Sequence, residues 1–200
     1  AVEKDYGVSK FYITSIIGME TNYGSYYGSY NPLDAIFTRA FEPNSNFWQK
    51  ELIELFILSK RYNLDPKKIK SSWSGAIGLG QFIPSSYNAY GVDYDLNGFV
   101  DLLGSREDGI ASVANYLRAN GWIPGKEAAI QINFSGSFED LNEDQINKLD
   151  LPFKLNNFRT KIYSSDLREA GFKFDEEYSS MISPILVRQK DSTKDRKSTR

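Results

Sequence analysis

The sequence predicts an α+β chain that is predominantly α-helical. Four separate segments carry apolar residues at the helical period, capping residues stand at their ends, and strand-like alternation begins only after residue 125. The first stripe is Ile13, Ile16 and Ile17, with Ser9 as N-cap and Asp5 to Val8 as a short lead-in. A Gly/Ser/Tyr loop over 23–31 follows, whose tyrosines either flank a groove or are simply solvated. Pro32 then sits just inside a helix start, with Leu33, Ile36, Phe37 and Ala40 at helical spacing.

The longest helix is expected over 47–62. Leu52, Ile53, Leu55, Phe56, Ile57 and Ser59 form a broad buried face, with Lys50, Glu51, Glu54 and Lys60 outside, and Asp65-Pro66 marks its end. Pro84-Ser85-Ser86 opens another helix with a hydroxyl cap. Ile110, Val113, Ala114 and Leu117 mark one more, ending at Asn120-Gly121. Beyond Gly125, Ile130, Ile132 and Phe134 alternate, while 141–149 and 165–170 are short helix candidates. Arg188 to Arg200 lacks apolar residues and reads as a disordered or truncated tail. The organisation is therefore a helical core over 1–124, a small mixed α/β subdomain over 125–187, and the tail 188–200. The chain starts at Ala1 without Met, as a processed or trimmed chain would.

Composition narrows the chemistry. The 200 residues contain neither Cys nor His, which excludes disulfide frameworks, Cys/His zinc sites and any triad with a His base. Acid–base work must fall to carboxylates, Lys or Tyr. A formal net charge of −2 argues against nucleic acid as the partner. No apolar run approaches a membrane span. Thirteen Tyr, thirteen Phe and three Trp exceed what a core of this size usually uses, and such a surplus either lines a groove for sugars, bases or peptides or is core.

Three stretches carry candidate chemistry. In YITSIIGMETNYG (12–24), Glu20 stands at i+7 from Ile13, where the stripe calls for an apolar side chain. A carboxyl shielded there would hold its proton and could donate it to a leaving group; the alternative is a frayed helix end before Gly24, with Glu20 in water. In SSWSGAIGLGQFIPSSYNAY (71–90), Gly75, Gly78 and Gly80 allow the backbone to approach either another helix or a ligand, and their spacing fits no phosphate-binding fingerprint. In DYDLNGFVD (93–101), Asp93, Asp95, Asn97 and Gly98 occupy positions one, three, five and six of an EF-hand calcium loop, and Phe99 offers a carbonyl at seven. Position twelve is Gly104 instead of Glu, so any closing carboxylate is Glu107 or Asp108; an acidic turn without metal is the other reading.

GMETNYG (18–24), SGAIGLGQFIPSSY (74–87), DYDLNG (93–98) and SVANYLRANGW (112–122), in this order, resemble the lytic murein transglycosylase B family of bacterial enzymes, which have a lysozyme-like helical catalytic core. The resemblance runs from about Tyr6 to Trp122 and more faintly to about Phe174. It implies cleavage of the β-1,4 bond between N-acetylmuramic acid and N-acetylglucosamine in peptidoglycan, leaving a 1,6-anhydro end without adding water. It implies Glu20 as the single catalytic residue, first acid and then base. It places Ser72, Gln81, Phe82 and Tyr116 in the saccharide groove. It also implies an EF-hand-like structural Ca²⁺ site at Asp93, Asp95, Asn97, the Phe99 carbonyl and Asp108, with Glu107 as competitor and no organic cofactor.

Peptidoglycan glycan strands are then the partner, the protein is expected to be monomeric, and its place is the periplasm or the outer membrane, with membrane contact only through a lipid anchor. The family's C-terminal Asn, Phe and Tyr motif, which completes the groove, is not found. Two other readings stay open: a hydrolytic muramidase on the same scaffold, and a peptidoglycan-binding module with impaired catalysis.

Overall fold

Side-chain caps start three of the helices, and the buried stripes decide how the helices stack. A computed structural model describes residues 1–125 and two short strands at 133–134 and 172–173. The chain divides into two compact units, Ala1–Ala128 and Ala129–Arg200. In the second, strand β1 (Asn133–Phe134) pairs antiparallel with β2 (Phe172–Lys173), with Phe134 opposite Phe172. Ile130 and Ile132, the helix candidates at 141–149 and 165–170, and the tail 188–200 lie outside the described residues.

The first unit has six helices among the described residues. The lead-in is itself a helix, α1 (Val2–Tyr6), stopped by Gly7 in the left-handed region. Ser9 caps α2 (Lys10–Thr21), its hydroxyl accepting from the Phe11 amide. Asn31 caps α3 (Pro32–Ala40) through the Asp34 amide, and Pro32 takes the first turn where no donor is needed. The longest helix, α4 (Asn46–Arg61), is followed by α5 (Pro84–Tyr90) and α6 (Arg106–Ala119). Helices α3 and α5 pack on α4, and α1, α2 and α5 pack on α6. Val8, Ile13, Ile17, Ile36, Leu55, Leu58, Ile77, Phe82, Tyr87, Leu102 and Val113 belong to one core cluster.

The expected α4 face is corrected. Glu51, expected outside, is buried at 3% exposure, whereas Ile53, Phe56 and Ile57, expected inside, are exposed. The reason is α5: the Glu51 carboxylate accepts from the Ser85 amide (3.0 Å) and the Ser85 hydroxyl (2.6 Å), so α4 turns that carboxylate toward the start of α5. Glu51 thereby supplies the cap expected from Ser85 or Ser86 themselves.

The glycine-rich segment packs against protein. A Cβ on Gly75 would lie 2.5 Å from Ile36 Cγ1, one on Gly80 would lie 2.6 Å from Val113 Cγ2, and one on Gly78 would lie 2.4 Å from the Leu102 carbonyl oxygen. Of the two readings of these glycines, close approach to neighbouring elements is the one observed. Gly78 also has φ +77°, so Gly78→Ala combines backbone strain with a clash against main chain. Its expected cost in a urea melt is about 2–4 kcal/mol. Gly98, at φ +93° with open space around it, should lose only about 1–2 kcal/mol when changed to Ala.

Candidate active site

Glu20 lies in the last turn of α2 and is exposed, which corrects the expectation of a shielded carboxyl. The buried stripe of α2 is Ile13, Ile17 and Thr21, a run of i, i+4 and i+8. At 100° per residue, Glu20 falls about 60° to one side of its centre, at the rim. The helix ends there because Asn22 adopts the left-handed conformation at φ 48°, two residues earlier than the expected Gly24 stop. No hydrogen bond engages the Glu20 carboxyl among the described residues.

What lies beneath Glu20 is Thr21. Its hydroxyl reaches the Leu79 carbonyl at 3.1 Å and so joins the end of α2 to the glycine-rich segment. From Gly78 to Gln81 the chain makes a tight turn: the Gln81 backbone and side-chain amides both donate to the Gly78 carbonyl at 3.0 Å, with Gln81 at φ 51°. Backbone bridges then connect Tyr30 to Ser71, Ser71 to Ile77 and Ile77 to Phe82. This narrow ladder brings the Ser72 and Gln81–Phe82 segments together.

The other implied groove residues occupy different depths. Ser72 is half-buried, and its hydroxyl accepts from the Ala76 amide (3.1 Å) and pairs with Ser74 (2.9 Å), so it stabilises its own loop. Phe82 is buried, edge-on to the Tyr116 ring at 5.9 Å between centroids. Tyr116 is exposed and in turn meets Tyr90 at 5.1 Å. Of this aromatic pair only Tyr116 has an open ring among the described residues. Trp73, between Ser72 and Ser74, is exposed with the Arg39 guanidinium 4.3 Å over its ring. Thr21 and Trp73 were not singled out from sequence; the i, i+4, i+8 spacing from Ile13 was the available signal for Thr21.

The acidic loop folds onto the start of α6. Asp93, Asp95 and Asp108 each bring a carboxylate oxygen within 4.8 Å of the others. Asp108 is fully buried, accepting from the Tyr94 amide at 2.8 Å on one oxygen and the Asp101 amide at 2.8 Å on the other. Glu107, in the same helical turn, is exposed. The Asn97 amide donates to Asp93 and Asp95, the Gly98 amide to Asp93, and the Ser105 hydroxyl to Asp95. Asn97 Oδ1 accepts from the Phe99 amide.

These bonds curl the loop, yet the one ion pair among the described residues is Lys68–Asp65, remote in sequence from all three carboxylates. Three clustered carboxylates without a cationic side chain, each oxygen keeping lone pairs after its amide bonds, fit a hard divalent cation. The Tyr94 hydroxyl donates to Asp5, and this hydrogen bond, first, with partial burial, pushes the Tyr94 phenol up to about 12. Tyr87, buried beneath, donates to the Val100 carbonyl and accepts from the Leu102 amide, both at 3.0 Å; burial raises its phenol further.

A helical unit with an exposed acidic residue at the end of α2, whose neighbour Thr21 bonds to a glycine-rich turn, and with an oxygen-donor loop against the start of α6, has counterparts among known proteins. The transglycosylase SLT domain family matches residues 1–188, and the chain belongs to that family. It is 35% identical over 168 residues to the membrane-bound lytic murein transglycosylase B of Escherichia coli strain K12, covering 83% of this chain and 42% of that protein.

The lytic transglycosylase Slt35 of Escherichia coli, solved in complex with calcium, aligns at a TM-score of 0.71 and 33% identity, over 90% of this chain and 54% of that one. SltB3 of Pseudomonas aeruginosa, solved in complex with NAG-NAM-pentapeptide, aligns at 0.67 and 29% identity, over 86% and 43%. The chain thus spans about half the length of these relatives. No helix among the described residues is long and apolar enough to cross a membrane.

Proposed function

We propose that this chain is a lytic transglycosylase that cleaves the β-1,4 MurNAc–GlcNAc bond of peptidoglycan and leaves a 1,6-anhydroMurNAc end. The observation that carries the reading is the place of Glu20: an unbonded carboxyl at the end of α2, joined through its neighbour Thr21 to the turn bearing Gln81 and Phe82. Glycan laid over the end of α2 would exclude water from the carboxyl and the bond it attacks.

The carboxyl gives its proton to the glycosidic oxygen as the bond to C1 breaks. As carboxylate it then takes the proton from the O6 hydroxyl of the same muramoyl sugar, while O6 bonds to C1. The proton count closes and no water enters. An intramolecular nucleophile stands where other glycosidases use a second carboxylate or an activated water. Ser72 and Gln81 are assigned to hydrogen bonds with N-acetyl and hydroxyl groups near the cleaved bond, and Tyr116, backed by Phe82, to a sugar face.

Asp93, Asp95, Asn97, the Phe99 carbonyl and Asp108 are assigned to one Ca²⁺, which would neutralise the clustered charge and pin the loop to α6, with no part in the chemistry. Saturating Ca²⁺ is expected to raise the melting temperature on the order of 5–10 °C over the chelated protein, for occupancy near a hundredfold Kd. A melting curve indifferent to both chelator and Ca²⁺ would refute the metal assignment. Since the substrate is the murein layer, the site of action is the periplasmic face of a bacterial envelope, and the working unit is a monomer on a glycan strand. The test is incubation of purified sacculi with the chain: soluble fragments accumulate if the reading holds, whereas binding without release makes it a murein-binding module.

A further inference from the structure

We infer that Thr21 is a positioning residue for Glu20, and that its buried hydroxyl, hydrogen-bonded to the Leu79 carbonyl, sets the acid against the substrate-binding turn. The inference rests on the catalytic reading of Glu20. Thr21 is 1% exposed, and its Oγ1 lies 3.1 Å from the Ile17 carbonyl and 3.1 Å from the Leu79 carbonyl, while accepting from the Gly24 amide at 3.1 Å.

A hydroxyl has one proton, so the two carbonyls compete for it. Ile17 already receives the Tyr23 amide at the helix end. Leu79, itself buried, has no other donor among the described residues. A buried carbonyl left unpaired is costly, so the proton belongs on Leu79. The bond therefore bridges 58 positions of sequence, and it does so at the residue next to the acid.

Leu79 is held from the other side as well. Its amide donates to the Leu102 carbonyl at 3.0 Å, and α6 approaches so closely that a Cβ on Gly109 would sit 2.9 Å from the Leu79 Cβ. Gly78, Gln81 and Leu79 thus form a fixed ledge, with Thr21 as the peg that seats α2 on it. The Glu20 side chain has no hydrogen bond of its own among the described residues, so its reach toward a glycosidic oxygen above Gln81 is set by its backbone. That backbone position is set by Thr21. Misplacing a reacting group by about 1 Å can cost on the order of a hundredfold in rate.

The test compares Thr21→Val, which keeps the shape and removes the hydroxyl, with Thr21→Ser, which keeps the hydroxyl. Initial rates on soluble uncrosslinked glycan strands are measured against strand concentration, below the melting temperature of each variant. Thr21→Val is expected to lower kcat about 10- to 100-fold with KM kept within about twofold, and Thr21→Ser to stay within about threefold of wild type. If Thr21→Val does not fold, Thr21→Ala, which also has no donor, is read in its place and should show the same loss in kcat alone.

Wild-type kcat in the folded Val or Ala variant overturns the inference. So does a Ser variant as impaired as Val, or a loss shared between kcat and KM. A Glu20→Gln variant run alongside separates the two claims. If that variant is dead while Thr21→Val is fully active, only the positioning role fails; if Glu20→Gln itself turns over normally, the catalytic reading fails.

Discussion

Glu20→Gln is expected to reduce the release of soluble muropeptides from sacculi by about 10²–10⁴-fold, the range associated with a positioned general acid or base. Glutamine keeps the shape and the acceptor oxygen but has no proton to give and no basic oxygen to take one back, so both halves of the proposed reaction stop. The position is exposed and unbonded, so stability should move by no more than about 0.5 kcal/mol. Pull-down on murein should match wild type, because the sugar contacts are assigned to Ser72, Gln81 and Tyr116. Loss of binding together with activity would place the side chain in recognition. Full activity in the variant would remove Glu20 from the chemistry.

Asp108→Ala is expected to cost about 3–5 kcal/mol of folding free energy, measured by urea unfolding. The fully buried carboxylate receives the Tyr94 and Asp101 amides, each at 2.8 Å, and removing it leaves both donors without a partner. At about 1–3 kcal/mol for each, the loss is a large share of the 5–15 kcal/mol that holds a typical domain together. Asp108→Asn keeps one acceptor oxygen and should lose roughly half as much. In both variants the melting temperature should stop responding to Ca²⁺. A variant that kept the full Ca²⁺ response would move the closing ligand to another group.

Signals that are local in sequence translated well into this fold. Ser9 caps the helix it precedes, Pro32 opens α3, and the stripe through Val113 and Ala114 is buried in α6. Ser105, whose hydroxyl accepts from the Asp108 amide, starts α6 at Arg106, four residues ahead of the first apolar residue of the stripe. The spacing Ser-x-x-Asp was readable as a capping signature there.

What could not be read was where each helix turns its face, because a partner far along the chain decides it. Glu51 looks like a solvent-facing charge until the start of α5, 34 residues on, demands an acceptor. The expectation for Glu20 failed for a related reason. Two stripes, one through Ile16 and one through Thr21, were both compatible with the period. The bond from Thr21 to Leu79, across 58 positions, goes with the second and leaves Glu20 at the rim. In the acidic loop the alternation of Asp93, Asp95 and Asn97 was legible, but neighbours Glu107 and Asp108 are separated only by helix geometry, which buries one and exposes the other.

The most direct measurement is the mass of the muramoyl ends released when the chain digests purified sacculi, read after reduction with borohydride. Attack by O6 on C1 predicts anhydro ends, which carry no added water and resist reduction. Ends that have gained water and take up hydride would mean that a solvent molecule attacks C1, and the single-acid mechanism built on Glu20 would be wrong.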